Sequence, residues 1–391
     1  MEEISLETAK RLILSKQMLS QPIAEESSWA VVETVKRLGG IQYDPLPIVE
    51  QAHYLTLWNR VKNFRKKLLD TALYKQRKLI ESVLMRQALH IVPVEELPYY
   101  FQAIQRVFRR GWIQRAIDKL STQDAQEILE RIKRHGTVSS KDVPYGRLRA
   151  LFYTGKIAIM KRDSGIFRMP HYCLLNSLHP NLDLKAINEE AAQKWLVKKT
   201  ISAYGIASTR HISFWTGYKV KETQEILNQL ERENIVRRVK VLGLKGYHWI
   251  TPKDFDRLKE TTKEENVALL SPMDNLTRDR KWLNEVFGDS FSIEYFQKKG
   301  MRWQISILYG TSFLGFIDAK MDRPNRTFIL KELKVHSKAR KDAWIKVIKR
   351  IVDIAKFHRA ATITVGVKFP KWFSNLFRTA GYKYKASLVM I

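Results

Sequence analysis

The feature that most constrains the fold is a local pattern of helices followed by a hairpin, which occurs twice in the middle of the chain. In the first occurrence, apolar residues recur at helical spacing from Asp124 to Arg134, and a second amphipathic run covers Tyr145 to Tyr153. Apolar segments at 157–160 and 166–169 flank turn residues at 163–165, which predicts a hairpin. Helices followed by such a hairpin are typical of a winged-helix unit.

The same order of elements returns between residues 186 and 250. A helix is predicted from Ala191 to Tyr204, a second through Trp215 and a third from Lys221 to Glu233, with a hairpin after it. The third helix carries Glu222 and other acids among its bases, and acids in the major groove would face phosphates. We therefore expect these units to act as a scaffold rather than as readers of base sequence.

The flanking segments complete the predicted architecture. Helical runs near the start indicate a third, more divergent copy of the unit, and strand alternation near the end precedes a long helix at Asp342–Phe357. The predicted fold class is α+β, with tandem winged-helix (helix-turn-helix) domains and a C-terminal α+β domain that serves as a DNA-binding platform. The predicted domain bounds are 1–110, 111–185, 186–262 and 263–391.

The charge balance predicts the kind of partner. Lys and Arg number 69 against 40 Asp and Glu, so the formal net charge is +29, which favours a polyanion such as nucleic acid. The alternative is a merely basic surface. No apolar run approaches the ~18 residues of a membrane-spanning helix, and Cys173 is the single cysteine, which excludes an internal disulfide. We expect a cytoplasmic monomer that binds duplex DNA, with no membrane, cofactor or metal.

The most informative local feature is the segment Gly39-Gly40-Ile41-Gln42-Tyr43-Asp44-Pro45. The two glycines end the preceding helix, and the proline disfavours helical angles at Asp44, so the chain from Gln42 is predicted to be extended. Side chains alternate in an extended chain, which places the carboxamide of Gln42 and the carboxylate of Asp44 on one side. The alternative is that Asp44 only caps the following turn, a common role for Asp.

Four segments resemble the AlkZ/YcaQ family of winged-helix DNA glycosylases, which excise alkylated purines and unhook interstrand crosslinks. In chain order they read LGGIQYDPLPIVEQAHYLTLWNRV, LMRQALHIVP, LLSPMDNLTRDR and LYGTSFLGFIDAKMDR. The resemblance implies that Gln42 and Asp44 are the catalytic residues, in the YcaQ-like branch whose motif ends in Asp. Two departures are Arg86-Gln87-Ala88-Leu89-His90, where the family has Arg-Gly-Thr-Leu-His, and Gly315-Phe316-Ile317-Asp318, where Gly-Arg-Ile-Asp is frequent.

Further residues are candidates for DNA contacts. The resemblance points to Arg86 and His90, although a lone His on an apolar run is more often structural. Clusters of basic residues predict phosphate contacts, and the alternative for each cluster is a solvated charged face. The predicted DNA-binding residues are Arg86, His90, Arg147, Arg149, Lys161, Arg162, Lys298, Lys299 and Arg302. No second ligand stands at metal spacing from His211 or His248, so no metal site is predicted.

The expected function is a monofunctional DNA glycosylase for cationic purines alkylated at N7 or N3, with crosslinks of such purines as a further substrate. A cationic base is already a good leaving group, so the site needs to stabilise the developing sugar cation and to position water. Asp44 and Gln42 have the chemistry for both tasks. The alternative is a non-catalytic winged-helix regulator, which would need side chains that read bases and has no use for a carboxylate facing DNA.

Overall fold

The computed structural model describes residues 2–165, 168–260, 265–288, 296–297, 300–301, 303–336, 339–385 and 388–390. The α-helices lie at Leu6–Lys16, Ser28–Arg37, Ala52–Trp58, Lys66–Asp70, Leu97–Arg109, Trp112–Asp118, Thr122–His135, Tyr145–Tyr153, Leu175–Leu178, Glu189–Tyr204, Thr209–Thr216, Val220–Arg232, Pro252–Asp256, Arg280–Phe287, Lys341–Phe357 and Lys371–Thr379. Short 3-10 helices lie at Met85–Gln87, Val94–Glu96 and Leu258–Glu260, and one π-helical turn lies at Thr71–Lys75. The mixture of helices and sheets confirms the α+β class.

The first sheet carries the Gln42 motif. It has three antiparallel strands in the order Ile41–Gln42, Leu89–Pro93 and Leu79–Val83. The helix Ser28–Arg37 precedes the first strand, and the two later strands form the hairpin. Ser27 begins that helix by accepting a hydrogen bond from the backbone N–H of Ala30, which satisfies one of the free donors of the first turn.

Two further segments repeat this strand order. In one, Val138 pairs with Tyr172, and the strand Pro170–Leu174 then pairs with Ile157–Arg162. The predicted second strand at 166–169 is wrong at Arg168 and Met169, because the ladder pairing starts at Pro170 and the backbone N–H of Asp163 donates to the carbonyl of Met169. Ile166 and Phe167 lie outside the described residues.

In the other segment, the strand Ile206–Ala207 pairs with His248–Ile250, which pairs with Arg237–Val241. The predicted helices of this segment are present, with bounds within a few residues of those expected. The strand Glu2–Ile4 extends the same sheet, since it runs parallel to Arg237–Val241. The start of the chain is thus packed against residues more than 200 positions away.

The largest sheet has seven strands and lies in the C-terminal part of the chain. Its strands, in spatial order, are Val267–Leu270, Gln304–Tyr309, Ser312–Asp322, Thr327–Val335, Thr362–Lys368, Leu388–Met390 and Tyr384–Lys385. The fourth of its pairings, Thr327–Val335 with Thr362–Lys368, is parallel. The helix Lys341–Phe357 connects those two strands and buries Trp344, Val347 and Ile351. The two short strands Phe296–Gln297 and Gly300–Met301 pair with each other.

Hydrophobic packing joins these parts into continuous cores. Ile41 and Leu57 belong to the same buried cluster as Trp303 and Ile351, so the segment with the Gln42 motif shares its core with the C-terminal sheet. A second cluster joins Val92 to residues of both repeated segments. The four predicted domain bounds stay a prediction, and buried contacts cross each of them.

Candidate active site

A tight turn sets the direction of the Gln42 strand. Gly40 has a φ of +92°, which favours glycine, and a Cβ there would lie 2.9 Å from a methyl group of Val92. The side-chain amide of Asn275 donates to the carbonyls of Leu38 and Gly40, at 3.1 and 2.9 Å. The turn after the helix is therefore held by the segment 271–280 as well as by its own glycines.

That segment is anchored by a buried ion pair. Arg60 donates to both carboxylate oxygens of Asp274, at 2.7 and 2.8 Å, and both side chains are fully buried. Two parallel hydrogen bonds between a guanidinium and a carboxylate fix the orientation of one group relative to the other. The anchored backbone then presents Arg278 four residues later.

Gln42 lines a cavity of about 820 Å³. Arg86, Phe214, Met273 and Arg278 line the same cavity. The side-chain oxygen of Gln42 is buried and has no hydrogen-bond partner within the described residues. A buried acceptor without a partner costs free energy, so this carboxamide is poised to receive a donor from a bound molecule or from water.

Asp44 is nearly buried, with 5% of its surface exposed. One carboxylate oxygen accepts a hydrogen bond from the backbone N–H of Leu46 at 3.1 Å, which is the turn-capping contact expected as the alternative role. Burial and then Arg86 lower the pKa of Arg278 to about 9, and the negative charge of Asp44 opposes this shift by a smaller amount. The capping contact and an electrostatic interaction with Arg278 are therefore both present.

Arg278 is joined to His90. The Arg278 guanidinium donates to Nε2 of His90 at 3.2 Å, and Nδ1 of His90 lies 2.8 Å from the carbonyl of Ala88. This arrangement requires a neutral ring with its proton on Nδ1. Burial first, and Arg278 second, lower the pKa of His90 to about 3. His90 pairs with Gln42 across the sheet and is fully buried, so its predicted direct contact with DNA does not fit this placement.

Tyr43 is held on the opposite side of the strand. Its ring stacks on His53 with centroids 4.4 Å apart, and the guanidinium of Arg162 lies 4.3 Å from its centroid. Arg162 also forms a buried ion pair with Glu81 at 2.6 Å, with 6% and 1% of the two side chains exposed. This placement does not fit the predicted phosphate contact of Arg162, because its donors are turned inward to Glu81 and the carbonyl of Arg168.

The other predicted DNA contacts on the helix Tyr145–Tyr153 and the strand Ile157–Arg162 are near the surface. Arg147 is half exposed and pairs with Asp124 at 3.0 Å. Arg149 donates to the hydroxyl of Tyr153 at 2.6 Å and lies beside the ring of Trp112. Lys161 is exposed. Their role in DNA binding stays a prediction, as does that of Lys298, Lys299 and Arg302, which lie outside the described residues.

Arg86 is the predicted residue that the structure brings to Gln42. Its φ of +55° is unusual for a residue other than glycine and turns the side chain into the cavity wall. There the guanidinium lies 3.8 Å from the ring centroid of Phe214 and donates to the Phe214 carbonyl at 3.2 Å. Reasoning from the sequence missed Arg278 as a site residue, although it stands in the segment LLSPMDNLTRDR that carried part of the resemblance.

Two general properties bear on the site. Within the described ranges, no three His, Cys, Asp or Glu side chains are grouped so that they could hold a metal ion. None of the described helices is long and apolar enough to cross a membrane.

Comparisons with known proteins give the family and a similar fold. Residues 35–361 match the family described as "DNA glycosylase AlkZ-like". The fold is similar to that of the Streptomyces sahachiroi DNA glycosylase AlkZ, with a TM-score of 0.66 and 14% identity over 93% of this chain and 100% of that chain. No curated protein matches by sequence. Since the family match covers most of the chain, this protein belongs to the AlkZ-like family of DNA glycosylases.

Proposed function

We propose that the protein hydrolyses the N-glycosidic bond of cationic purines alkylated at N7 or N3 in duplex DNA, and that it unhooks interstrand crosslinks built from such purines. The observation that carries the proposal is the Gln42 carboxamide, whose oxygen is buried in the cavity and has no hydrogen-bond partner among the described residues. The AlkZ-like family membership sets the reaction class, and these residues supply the substrate preference.

Asp44 and Gln42 divide the work on the sugar. As the base departs, positive charge develops on the sugar, and the carboxylate of Asp44 stabilises it at short range. The same carboxylate accepts a proton from the attacking water, which becomes the hydroxyl at the anomeric carbon. Gln42 has a donor and an acceptor and orients that water or the sugar with its free oxygen.

The leaving group explains the preference for cationic bases. A purine alkylated at N7 or N3 leaves as a neutral molecule, so no acid is required at the base. Uracil and 8-oxoguanine start neutral and would depart as anions unless a positioned donor protonated them, which costs several kcal/mol without such a donor. The site is therefore proposed to act on cationic adducts alone.

We also propose that the three hairpin sheets are winged-helix units that form the scaffold for DNA. The shared strand order of the three sheets supports this assignment. In the third unit, Glu222 of the helix Val220–Arg232 pairs with Arg110 at 2.8 Å and with Arg106 at 3.5 Å. The carboxylate of Glu222 thus joins its helix to the end of the helix Leu97–Arg109, which fits a structural role rather than the reading of bases.

The test is a duplex with a single N7-methylguanine, incubated with the protein and assayed for alkali-labile abasic sites. We expect release of the methylated base and no release of uracil or 8-oxoguanine from matched duplexes. Intact duplex binding without any base release would support the regulator instead. Efficient uracil release would show that another set of residues performs the chemistry.

Borohydride treatment tests the monofunctional mechanism. No lysine lies between Gln42 and Asp44, and a Schiff base requires an amine at the sugar. We expect no covalent complex and no strand cleavage before alkali. Lys281 lines the same cavity, so Lys281→Met is the informative companion variant. A trapped complex that disappears in this variant would identify Lys281 as a nucleophile and would overturn the monofunctional proposal.

A further inference from the structure

Two arginines from distant segments face the Gln42 cavity. Arg86 lies on the hairpin of the first sheet, and Arg278 lies on the segment anchored by Asp274. The partners of Arg86 are the ring and carbonyl of Phe214, and those of Arg278 are His90 and the ring of Trp215, 5.3 Å from its centroid. All of these partners are uncharged when His90 is neutral.

Within the part of the chain that the structure describes, no Asp or Glu oxygen lies within 4.0 Å of the guanidinium of Arg86 or Arg278. Burial lowers the pKa of Arg86 and Asp279 opposes this shift, but the Asp279 carboxylate is engaged with Nδ1 of His211 at 2.7 Å and with the backbone N–H of Trp282. Two other shielded guanidiniums, those of Arg60 and Arg162, have carboxylate partners.

The two charges also oppose each other. Burial is the largest cause that lowers the pKa of Arg278 to about 9, and the neighbouring Arg86 is the second. Burial likewise lowers the pKa of Arg86. Two like charges held in a partly desolvated cavity cost free energy, and an anion placed between them would recover it. Such an arrangement is typical of a binding site for a charged ligand.

We propose that Arg86 and Arg278 together bind one phosphodiester of the nucleotide whose base is removed. This inference rests on the proposed function, which places the sugar of that nucleotide at Gln42 and Asp44. Its phosphate is then the nearest anion of the substrate. Guanidinium groups fit phosphate oxygens through paired N–H donors. His90 acts as a positioning residue, because its neutral Nε2 orients Arg278 without adding a third positive charge.

Single neutral phosphates test the proposal. A series of duplexes is prepared, each with a tetrahydrofuran abasic analogue and a single neutral methylphosphonate at a different position around the lesion. The dissociation constant of the protein is measured for each duplex. We expect the wild-type protein to lose about tenfold in affinity at one or two positions beside the lesion. Arg278→Met should lose about tenfold on the unmodified duplex and clearly less than a further tenfold at those positions, because only Arg86 then remains to contact the phosphate. The same pattern is expected for Arg86→Met.

Two variants separate this contact from general effects. Arg257→Met removes an exposed guanidinium outside the Gln42 cavity, so it should keep the full methylphosphonate loss. Arg278→Lys keeps the charge without the paired donors and should bind between Arg278→Met and wild type. Melting curves confirm that each variant is folded. If Arg278→Met loses affinity additively at every phosphate position, the proposal is overturned.

The outcome is independent of catalysis, since the abasic analogue has no base to release. A wild-type protein that releases no methylguanine but shows the non-additive pattern would contradict the proposed substrate and keep the phosphate contact. Release of methylguanine together with additive losses of affinity would support the proposed substrate and contradict the phosphate contact.

Discussion

The arginines of the Gln42 cavity and those of the hairpin region 145–168 look alike in the sequence but have opposite surroundings. Arg86 and Arg278 face a cavity without carboxylate partners within the described residues. Arg162 forms an ion pair with Glu81, and Arg168 forms one with Asp70. These two arginines therefore connect the hairpin to residues of the N-terminal part of the chain.

The difference shows that net charge does not tell which charges are available to a ligand. A formal charge of +29 indicates a polyanionic partner, but a guanidinium already paired with a buried carboxylate has few donors left for a phosphate. An unpaired guanidinium in a cavity is the more informative feature.

The largest expected effect is on stability, in Arg162→Met. Removing the guanidinium leaves Glu81 buried without a counter-ion, which costs about 3–5 kcal/mol of unfolding free energy. Denaturant unfolding measures this loss. The matched control is Arg147→Met, whose partner Asp124 is more exposed, and it should cost less than about 1 kcal/mol. Equal losses in the two variants would erase the proposed distinction between a structural and a surface arginine.

Asp44→Asn should abolish most base release while DNA binding is kept. The substitution removes the negative charge but preserves shape, so we expect at least a 100-fold slower single-turnover release of N7-methylguanine, about 2.7 kcal/mol of barrier. Affinity for an abasic analogue should stay within about threefold. Asp44 would be removed from the mechanism by a release rate within about threefold of wild type.

Low pH should lower the free energy of unfolding of the protein, because His90 is buried in its neutral form. Its pKa is about 3 in the folded protein, whereas an exposed histidine has an ordinary pKa of 6.5, so the unfolded chain binds the proton first as the pH falls. Stability is therefore full above about pH 6.5 and is lost as the pH falls toward 3, by about 2 kcal/mol for this residue between pH 6.5 and 5. His90→Gln should flatten that part of the unfolding free energy, and His135→Gln, which is exposed, should not. Identical pH profiles for wild type and His90→Gln would contradict the neutral buried ring.

Gln42→Ala should be milder than Asp44→Asn. The carboxamide orients water or sugar but carries no charge, so we expect about tenfold slower base release, or about 1.4 kcal/mol. Gln123→Ala, on the exposed side of the helix Thr122–His135, is the control and should leave the rate unchanged. A loss as large as that of Asp44→Asn would shift the main catalytic role to Gln42.

The smallest effects are expected for the exposed bases of the hairpin region. Arg147→Met and Lys161→Met should each weaken binding less than about threefold, equally on all sequences, and lower the slope of the salt dependence by at most about one. Wild-type binding itself should weaken steeply with salt through counterion release. Flat affinity between low and physiological salt would contradict the basic surface, and a loss confined to one sequence would favour the regulator.

Much of the local structure could be predicted from the sequence. The helix expected at Asp124–Arg134 spans Thr122–His135, and the long helix expected at Asp342–Phe357 starts one residue earlier. The spacing of apolar residues in a helix and the residues that cap its ends lie close together in the sequence, so both can be recognised without knowing the tertiary structure. The predicted strand at 166–169 was wrong at Arg168 and Met169, because hairpin register depends on the partner strand.

Local patterns in the chain predicted the repeated elements, the α+β class and the basic charge, and the resemblance pointed to the Gln42 and Asp44 motif. Three contacts could not be predicted in this way: Glu2–Ile4 pairs with Arg237–Val241, Arg162 is turned inward to Glu81, and Arg278 meets Gln42 in one cavity. These contacts join residues that are far apart along the chain. Helix periodicity is a property of adjacent residues, whereas burial and ion pairing depend on which distant segments pack together.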